Sequence, residues 1–413
     1  MRSWFKKIIK IRAARAVLKL AFFYVAIKLV VMSVNGIMST SLLSTIALEM
    51  NTTADLSLND LHYSIQRSEQ SFEEVNDNLL IINSGNLDRD NFRSELAFLL
   101  NYLSDFPVKT IALDVNFEND TSRIGTKELI KAVKDNPKLI LAADTLGDKK
   151  YLDFGDSIKY GTVDFPATDH TNRRYYSANG TFAAQIAKSM GFSTDVKAHT
   201  NSDFIINYVY DTLYTYNVLP EECAWDTLFE RTRPGFKELP LTEIYRLDSA
   251  CLSLLLKDKT ILIGHVKNSC AENYYLDGED KFAVPTDTKM LYRPATMPGV
   301  MVHANAVLNM ANPDVRFRCW SDQKWFLFLE EMVLLAYLSF LLFARVGKLL
   351  NILMMLLLTI PILYFVLLAM KHHIYIEVGT ALLQFLIFEE LTEIIEPVYH
   401  KCKNALEKRK LLS

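Results

Sequence analysis

The chain has 413 residues, half of them hydrophobic, which is enough for a folded core and for several membrane spans. Its formal net charge of -3 is small for this length and argues against a general nucleic-acid-binding protein or a polyacidic tail. The way in which charged and apolar residues are distributed along the chain is therefore more informative than their totals.

The N-terminal region has the pattern of an uncleaved signal anchor. Residues 1–15 are basic, and residues 16–43 are mostly apolar. This apolar run is longer than the core of a signal peptide and has no clean small-residue cleavage site, so we predict a transmembrane helix with a cytoplasmic N-terminus. Lys28 lies near the middle of the run. It either contacts a polar partner in a helix bundle or lies near one face of a tilted helix, and it is our first candidate for transmembrane coupling.

Three further apolar runs lie between residues 325 and 393, and each is about long enough to cross a hydrocarbon layer of ~30 Å. They are Trp325–Phe343, Leu349–Met370 and Ile374–Phe388. The last run contains Glu377, the second coupling candidate. Basic residues at 345–348 and in 394–413 place both segments in the cytoplasm under the positive-inside rule. We therefore predict four spans in the lipid bilayer of a bacterial inner membrane, with residues 50–322 outside the cytoplasm.

Strand-like and helix-like segments alternate in residues 50–322. In chain order we predict strand Leu79–Asn83, helix Phe92–Leu103, strand Thr110–Val115, helix Lys127–Val133, strand Leu139–Ala142, helix Phe182–Met190, strand Phe204–Ile206, strand Thr260–Gly264 and helix Gly299–Asn309. Such alternation predicts a layered α/β fold with a mostly parallel sheet and helices on both faces. The Tyr-rich segment Val209–Arg233 looks like an insertion.

The five cysteines are irregularly spaced and form no CxxC pair, which argues against a zinc site and a disulfide scaffold. We expect mostly buried free thiols. One bridge among Cys223, Cys251 and Cys270 stays open if these residues lie in an oxidising compartment.

No strong catalytic or phosphate-binding motif is present: GxSxG, HExxH, GxxxxGK[ST] and a GxGxxG after a strand are all absent. We therefore expect no enzyme activity, metal or cofactor. The candidate ligand-binding residues are three side chains at the carboxyl ends of predicted strands, where open α/β sheets bind ligands, and two arginines. They are Asp114, Asp144, His265, Arg173 and Arg174. The alternative is that the aspartates cap turns and the arginines are solvated. We expect His303 to be a packed or capping residue.

Several short pieces of the chain resemble, in order, the second class of the CHASE family of extracellular sensory domains. The pieces are Thr110–Phe117, Gly161–Val163 with Asp169 and Arg173–Arg174, Phe182–Ala184, Ile206–Tyr208, Lys259–Gly264, and Pro298–Val300 with His303–Asn305. The resemblance covers about residues 55 to 312 and implies a sensory role. Members of the family usually signal to a kinase or cyclase domain on the same chain. We find no such domain before Ser413 and expect a separately encoded effector.

Three functions stay open. The first is a receptor whose outer domain senses a ligand or an envelope protein, within a helix bundle of a kind that often forms homodimers. The second is an envelope assembly or scaffold protein. The third, a membrane-anchored enzyme that uses Asp114, Asp144 and His265, is disfavoured because no nucleophile–base pair or metal set accompanies them.

Overall fold

The computed structural model describes part of the chain, in two compact units. The described residues are 14, 16–30, 78–88, 90–143, 152–155, 157–163, 172–176, 179–192, 203–210, 213–215, 235–266, 281–282, 284, 297–312, 316–320, 323–344, 348–376, 390–402 and 404–405. One unit is Tyr63–Arg318, and the other combines Met1–His62 with Cys319–Ser413.

The first unit is built on a seven-stranded sheet in which every pairing is parallel. The strand order is β4-β3-β2-β9-β1-β8-β7. The bounds are β1 Leu79–Asn83, β2 Thr110–Asp114, β3 Leu139–Ala143, β4 Lys159–Thr162, β7 Leu213–Thr215, β8 Phe236–Glu238 and β9 Thr260–Gly264. The central strands are continuous apolar runs because both of their faces are covered.

In the described part of this unit, six helices cover the two faces of the sheet. They are α2 Phe92–Ser104, α3 Thr126–Asp135, α4 Phe182–Ser189, α5 Leu241–Arg246, α6 Ser249–Leu256 and α7 Gly299–Ala311. Helices α2, α3, α5 and α6 share one hydrophobic core with alternate residues of the central strands. Helices α4 and α7 pack on each other, α4 also packs on β3 and β4, and α7 on β9. The predicted α/β fold with a largely parallel sheet is therefore confirmed.

Shorter elements complete this unit. After Asn83 the chain forms a 3-10 turn, Ser84–Asn86. Strand β5, Arg174–Tyr176, pairs antiparallel with β6, Asp203–Ile205. Strand β10, Lys281–Phe282, pairs antiparallel with β11, Met297–Pro298.

The segment that we interpreted as an insertion contributes to the main sheet. Within Val209–Arg233, β7 lies at the sheet edge and pairs with β8. The prediction of an insertion is therefore wrong for these residues. Strand β7 has only three residues, too few for its alternation to stand out from the surrounding tyrosines.

Cys251 lies in the core at α6 and is disulfide-bonded, whereas Cys319 and Cys402 are free. The expectation of a free thiol is thus wrong for Cys251. The alternative that we left open, a bridge in this region, agrees with the structure.

The second unit contains helices α1 (16–30), α8 Lys324–Ala344, α9 Lys348–Lys371 and α10 (390–402). Among the described residues, one helical segment, Lys324–Phe343, is long and apolar enough to cross a membrane, and Thr359–Lys371 is a shorter apolar segment. Four spans therefore stay a prediction. The third predicted C-terminal run does not begin as a helix, because Ile374–Tyr375 forms the short strand β13. The last short strand, β12, is Arg318–Cys319.

Candidate functional site

The site lies at the carboxyl edge of the three central strands. Asn83 of β1, Gly264 of β9 and Asp114 of β2 are in register, so they form one row across the sheet. Side chains alternate between the two faces of a strand, and alternate residues of β1 and β2 belong to the core shared with α2 and α3. Asn83 and Asp114 do not belong to that set, so they lie on the opposite sheet face, which α7 covers. Polar side chains of two strands are thereby brought to the edge where open α/β sheets bind ligands.

Gly264 makes room for α7 in the middle of this row. A Cβ atom at position 264 would lie 2.7 Å from Cβ of Val300, in the first turn of α7, and 3.2 Å from Cβ of Asp114. Real Cβ contacts are longer than 2.7 Å, so no larger residue fits without moving α7. Because Gly264 has no side chain, α7 can begin close to the carboxyl ends of the central strands.

His303 of α7 links this row to the neighbouring β5 strand. Its Nδ1 atom lies 2.8 Å from the Tyr175 hydroxyl, and its Nε2 atom lies 3.9 Å from Oδ1 of Asp114. The His303 side chain also packs edge-on against Tyr175 and Phe182. We call Asp114, His303 and Tyr175 the relay, since they join β2, α7 and β5.

The surroundings of His303 determine its charge. The Tyr175 hydroxyl oxygen accepts from the Ala183 N–H group at 3.3 Å and lies within hydrogen-bond distance of Nδ1 of His303, at 2.8 Å. Burial lowers the pKa of His303 to about 3 and raises the pKa of Tyr175. The imidazole is therefore neutral at neutral pH, with its Nε2 atom on the side of the Asp114 carboxyl.

Two asparagines on α7 hold the chain that follows β6. The Asn309 side chain accepts from the Asn207 N–H group at 2.9 Å and donates to the Asn207 carbonyl at 2.8 Å. Asn305 does the same with Tyr210, at 3.2 and 2.8 Å. Residues 305 and 309 are one helical turn apart, so their side chains satisfy the hydrogen-bonding groups of a buried, non-helical stretch of backbone. We call this pair of asparagines the ladder.

Asn83 organises the other side of the row. Its Oδ1 atom accepts from the backbone N–H groups of Gly85 at 2.9 Å and Val266 at 3.0 Å. A Cβ atom at Gly85 would lie 2.9 Å from Nδ1 of His265, so the turn after β1 passes close to the imidazole. His265 is thus held at the edge of the sheet, partly exposed.

Arg93 of α2 braces the loop that follows Asp114. Its guanidinium donates to the carbonyl oxygens of Asp120 at 2.6 Å and Glu118 at 2.8 Å and to Oγ1 of Thr126 at 2.7 Å. Burial lowers the pKa of Arg93. The loop beside the edge is therefore fixed by charge-assisted hydrogen bonds to a buried cation.

The structure brings some of the predicted ligand-binding residues together. Asp114 and the residue before His265 are directly paired in the sheet. Arg173 is buried and directly precedes β5, and Arg174 is half-buried within β5. Asp144 lies outside the described residues, as does the coupling candidate Glu377. Lys28 belongs to the second unit and is treated below.

Sequence reasoning did not assign His303, Tyr175, Asn305 or Asn309 to the site. The signal for three of them was present, because residues 303, 305 and 309 are polar positions in a helix that is otherwise apolar. All three are buried, and buried polar side chains in such a helix must find partners. Tyr175 had no comparable signal.

The described polar residues of the site mainly hold neighbouring elements in position. Within the described ranges, no group of three or more His, Cys, Asp or Glu side chains could hold a metal ion. Asp114 keeps 12% of its side chain exposed, whereas His303 and Tyr175 are buried. Asp114 and His265 are therefore partly exposed at this edge, with His303 and Tyr175 buried behind Asp114.

Comparison with protein families identifies a domain family that matches most of the chain. The CHASE2 domain model matches residues 37–344, which include every strand of the central sheet, the whole relay and α8. Searches of curated proteins and of solved structures gave no match. Because the matched region covers well over half of the chain, the chain belongs to the CHASE2 domain family of extracellular sensory domains.

Proposed function

We propose that this protein is an integral membrane sensor. Its extracytoplasmic α/β unit binds a small polar ligand or an envelope protein at the carboxyl edge of the sheet. The signal passes through the membrane helices to a separately encoded effector. The protein resides, in this proposal, in the inner membrane of a bacterium, with residues 1–15 and 394–413 in the cytoplasm and four helices in the bilayer.

The observation that carries the proposal is the relay. A ligand group that binds Asp114 contacts a carboxyl whose Oδ1 atom lies 3.9 Å from Nε2 of His303. His303 is part of α7, and twelve residues, 312–323, connect α7 to α8, the membrane-length helix. A ligand shifts a conformational equilibrium only through contacts that differ between two states, and the proposal assigns that role to the Asp114–His303 pair.

The extracytoplasmic placement has support from chemistry as well as from the family. Cys251 is disulfide-bonded, and structural disulfides persist in oxidising compartments. Basic residues at positions 1–15, 345–348 and 394–413 agree with a cytoplasmic location for those segments.

The proposal includes no catalytic step. In the described part of the site, His303 is enclosed by Tyr175, Phe182 and Asp114, and its Nδ1 atom is occupied by a phenol rather than by a nucleophile of suitable pKa. Asp114 and His265 are accordingly assigned to binding.

One observation favours a scaffold as the second candidate. Phe98, Tyr102 and Tyr245 form an aromatic patch on α2 and α5, with ring centroids 5.8 to 6.2 Å apart. Phe98 is 59% and Tyr245 47% exposed. Exposed aromatic clusters are typical of protein–protein interfaces.

A thermal-shift screen of the detergent-solubilised protein tests the sensor proposal. Amino acids, dicarboxylates, nucleosides and sugar phosphates would be tested on the wild type, and each ligand that stabilises it on Asp114→Asn and His265→Ala. Asp135→Asn, an exposed carboxylate on α3, is the matched control. We expect a ligand that raises the melting temperature of the wild type and the control, with a shift at least halved in both site variants. If no compound acts and in-cell crosslinking recovers only envelope proteins, dependent on Phe98 and Tyr245, the scaffold replaces the sensor.

A further inference from the structure

The second unit contains a polar cluster between α1 and α8. Nζ of Lys28 donates to Oε1 of Glu331 at 2.6 Å, and the Tyr24 hydroxyl donates to Oε2 of the same carboxylate at 2.5 Å. The Lys28 ammonium also lies 5.6 Å from the centroid of the Tyr24 ring. Each carboxylate oxygen of Glu331 therefore has its own donor, and the two donors are one turn apart on α1.

On the side of this cluster that faces the N-terminus of α1, the two helices pack as an antiparallel pair. Phe23 and Ile27 of α1 share a buried cluster with Leu334 and Leu338 of α8. The residues of α1 that precede Lys28 thus share a cluster with residues of α8 that follow Glu331. At the far end of α1, Nζ of Lys19 lies 3.7 Å from Oε1 of Glu396 in α10. Apolar residues thus separate the Lys28–Glu331 pair from the Lys19–Glu396 pair, and we call these two pairs the charged layers.

The spacing of these layers places the Lys28–Glu331 pair within the hydrocarbon region. Positions 19 and 28 are nine residues apart, about 13 to 14 Å along a helix, which is much less than the ~30 Å thickness of the hydrocarbon. If the segment Lys324–Phe343 spans the bilayer, Glu331 lies about 10 Å inside its first boundary. If Lys19 marks the cytoplasmic boundary, both estimates place the pair inside the hydrocarbon region.

The sequence offers Glu331 no other cation at this depth. Within the four apolar runs, Lys19 and Lys28 are the only lysines or arginines, and Lys19 lies at the opposite charged layer. A lone ammonium or carboxylate in hydrocarbon is costly, so each of the two needs the other. The two residues are 303 positions apart, so the pair forms only after α8 has been synthesised.

We propose that Lys28, Tyr24 and Glu331 form an intramembrane coupling site that makes α1 and α8 move as one antiparallel pair. These helices flank residues 63–318 in the chain, so the site joins the two membrane segments to which the sensory unit is connected. The proposal concerns the membrane unit and holds whether or not the sensory unit binds a ligand. The three residues are positioning residues.

A retention assay tests the coupling. A protease site is introduced in the full-length chain between residues 50 and 60, and the chain is cleaved in native membranes and solubilised. The measurement is the fraction of the tagged N-terminal fragment that co-purifies with the remainder. We expect Glu331→Gln and Lys28→Met to lower retention at least twofold. The exchange Lys28→Glu with Glu331→Lys should restore most of it.

Two features of the design exclude trivial results. Glu330→Gln is the matched control, because it removes the adjacent carboxylate while both hydrogen bonds end on Glu331. Lys28→Met makes α1 more apolar, so a loss of retention in that variant does not arise from failed membrane insertion. Equal retention in Glu331→Gln and Glu330→Gln, or no recovery in the exchange, would overturn the coupling site. Neither result would affect the thermal-shift test of ligand binding.

Discussion

At the level of single residues, the most informative feature is a histidine held neutral in a polar setting. His303 is 2% exposed, and it faces the Tyr175 hydroxyl on one side and the Asp114 carboxyl on the other. Burial opposes protonation of the ring, whereas a carboxylate 3.9 Å away favours it. The lowered pKa shows that burial prevails.

This balance predicts how stability depends on pH. Because burial lowers the pKa of His303 to about 3 in the folded protein, from 6.5 in the unfolded chain, the unfolded chain binds more protons below pH 6.5. The contribution of His303 to stability is complete above pH 6.5 and is lost as the pH falls towards 3. Between pH 6.5 and 4.5 we expect a loss of about 2 kcal/mol that is absent in His303→Gln.

Melting temperatures of both proteins across this pH range provide the measurement. The relevant quantity is the difference between the two pH profiles, because other groups titrate equally in both. Parallel profiles would show that His303 is protonated, or solvated, in the folded protein.

At the level of elements, the sequence predicted the strands that have a clear local pattern. It missed the strands that depend on hydrogen bonds to a neighbouring strand. The strands at 79–83, 110–114, 139–143 and 260–264 were predicted because each is a continuous apolar run. Strands β4 and β8 have four and three residues and contain lysines, so periodicity could not reveal them. They exist because the neighbouring strand supplies their hydrogen bonds.

The same division applies to the candidate site. Asp114 and His265 were predicted because the end of a strand is a local property of the sequence. Tyr175 is separated from His303 by 128 positions, and its role depends on how β5 is placed against α7. For Lys28, a polar partner in the bundle was an open alternative, and in the structure Lys28 is paired with Glu331.

Helix α7 connects most of these features, which predicts what happens when its ladder is interrupted. Asn309→Ala removes the hydrogen bonds to both backbone groups of Asn207, and Asn305→Ala those to Tyr210. Because these groups are buried, each substitution should lower the free energy of unfolding by about 1 to 3 kcal/mol. Chemical denaturation measures the loss.

Asn101→Ala, at an exposed position of α2, is the control and should have little effect. Hydrogen exchange adds a local test, since the amides of residues 207 and 210 should exchange faster in the respective variants. Unchanged exchange at both amides would mean that the segment after β6 is held by other contacts.

At the level of the whole molecule, the two units place different demands on their surroundings. The sensory unit has a disulfide at Cys251, whereas the membrane unit has an exposed free thiol at Cys402 in α10. An oxidising compartment suits the disulfide. The proposed topology places Cys251 in such a compartment and Cys402 in the cytoplasm.

The native thiols therefore allow a direct test of the proposed topology. In cells with a permeabilised outer membrane, a membrane-impermeant maleimide should leave Cys402 of a Cys319→Ala variant unlabelled until the inner membrane is lysed. Lys131→Cys, on the exposed side of α3, should react without lysis, and Cys251 only after reduction. Labelling of Cys402 before lysis would place α10 on the same side as the sensory unit. Since the basic N-terminus is expected in the cytoplasm, that result would require an odd number of spans and would exclude a four-span bundle.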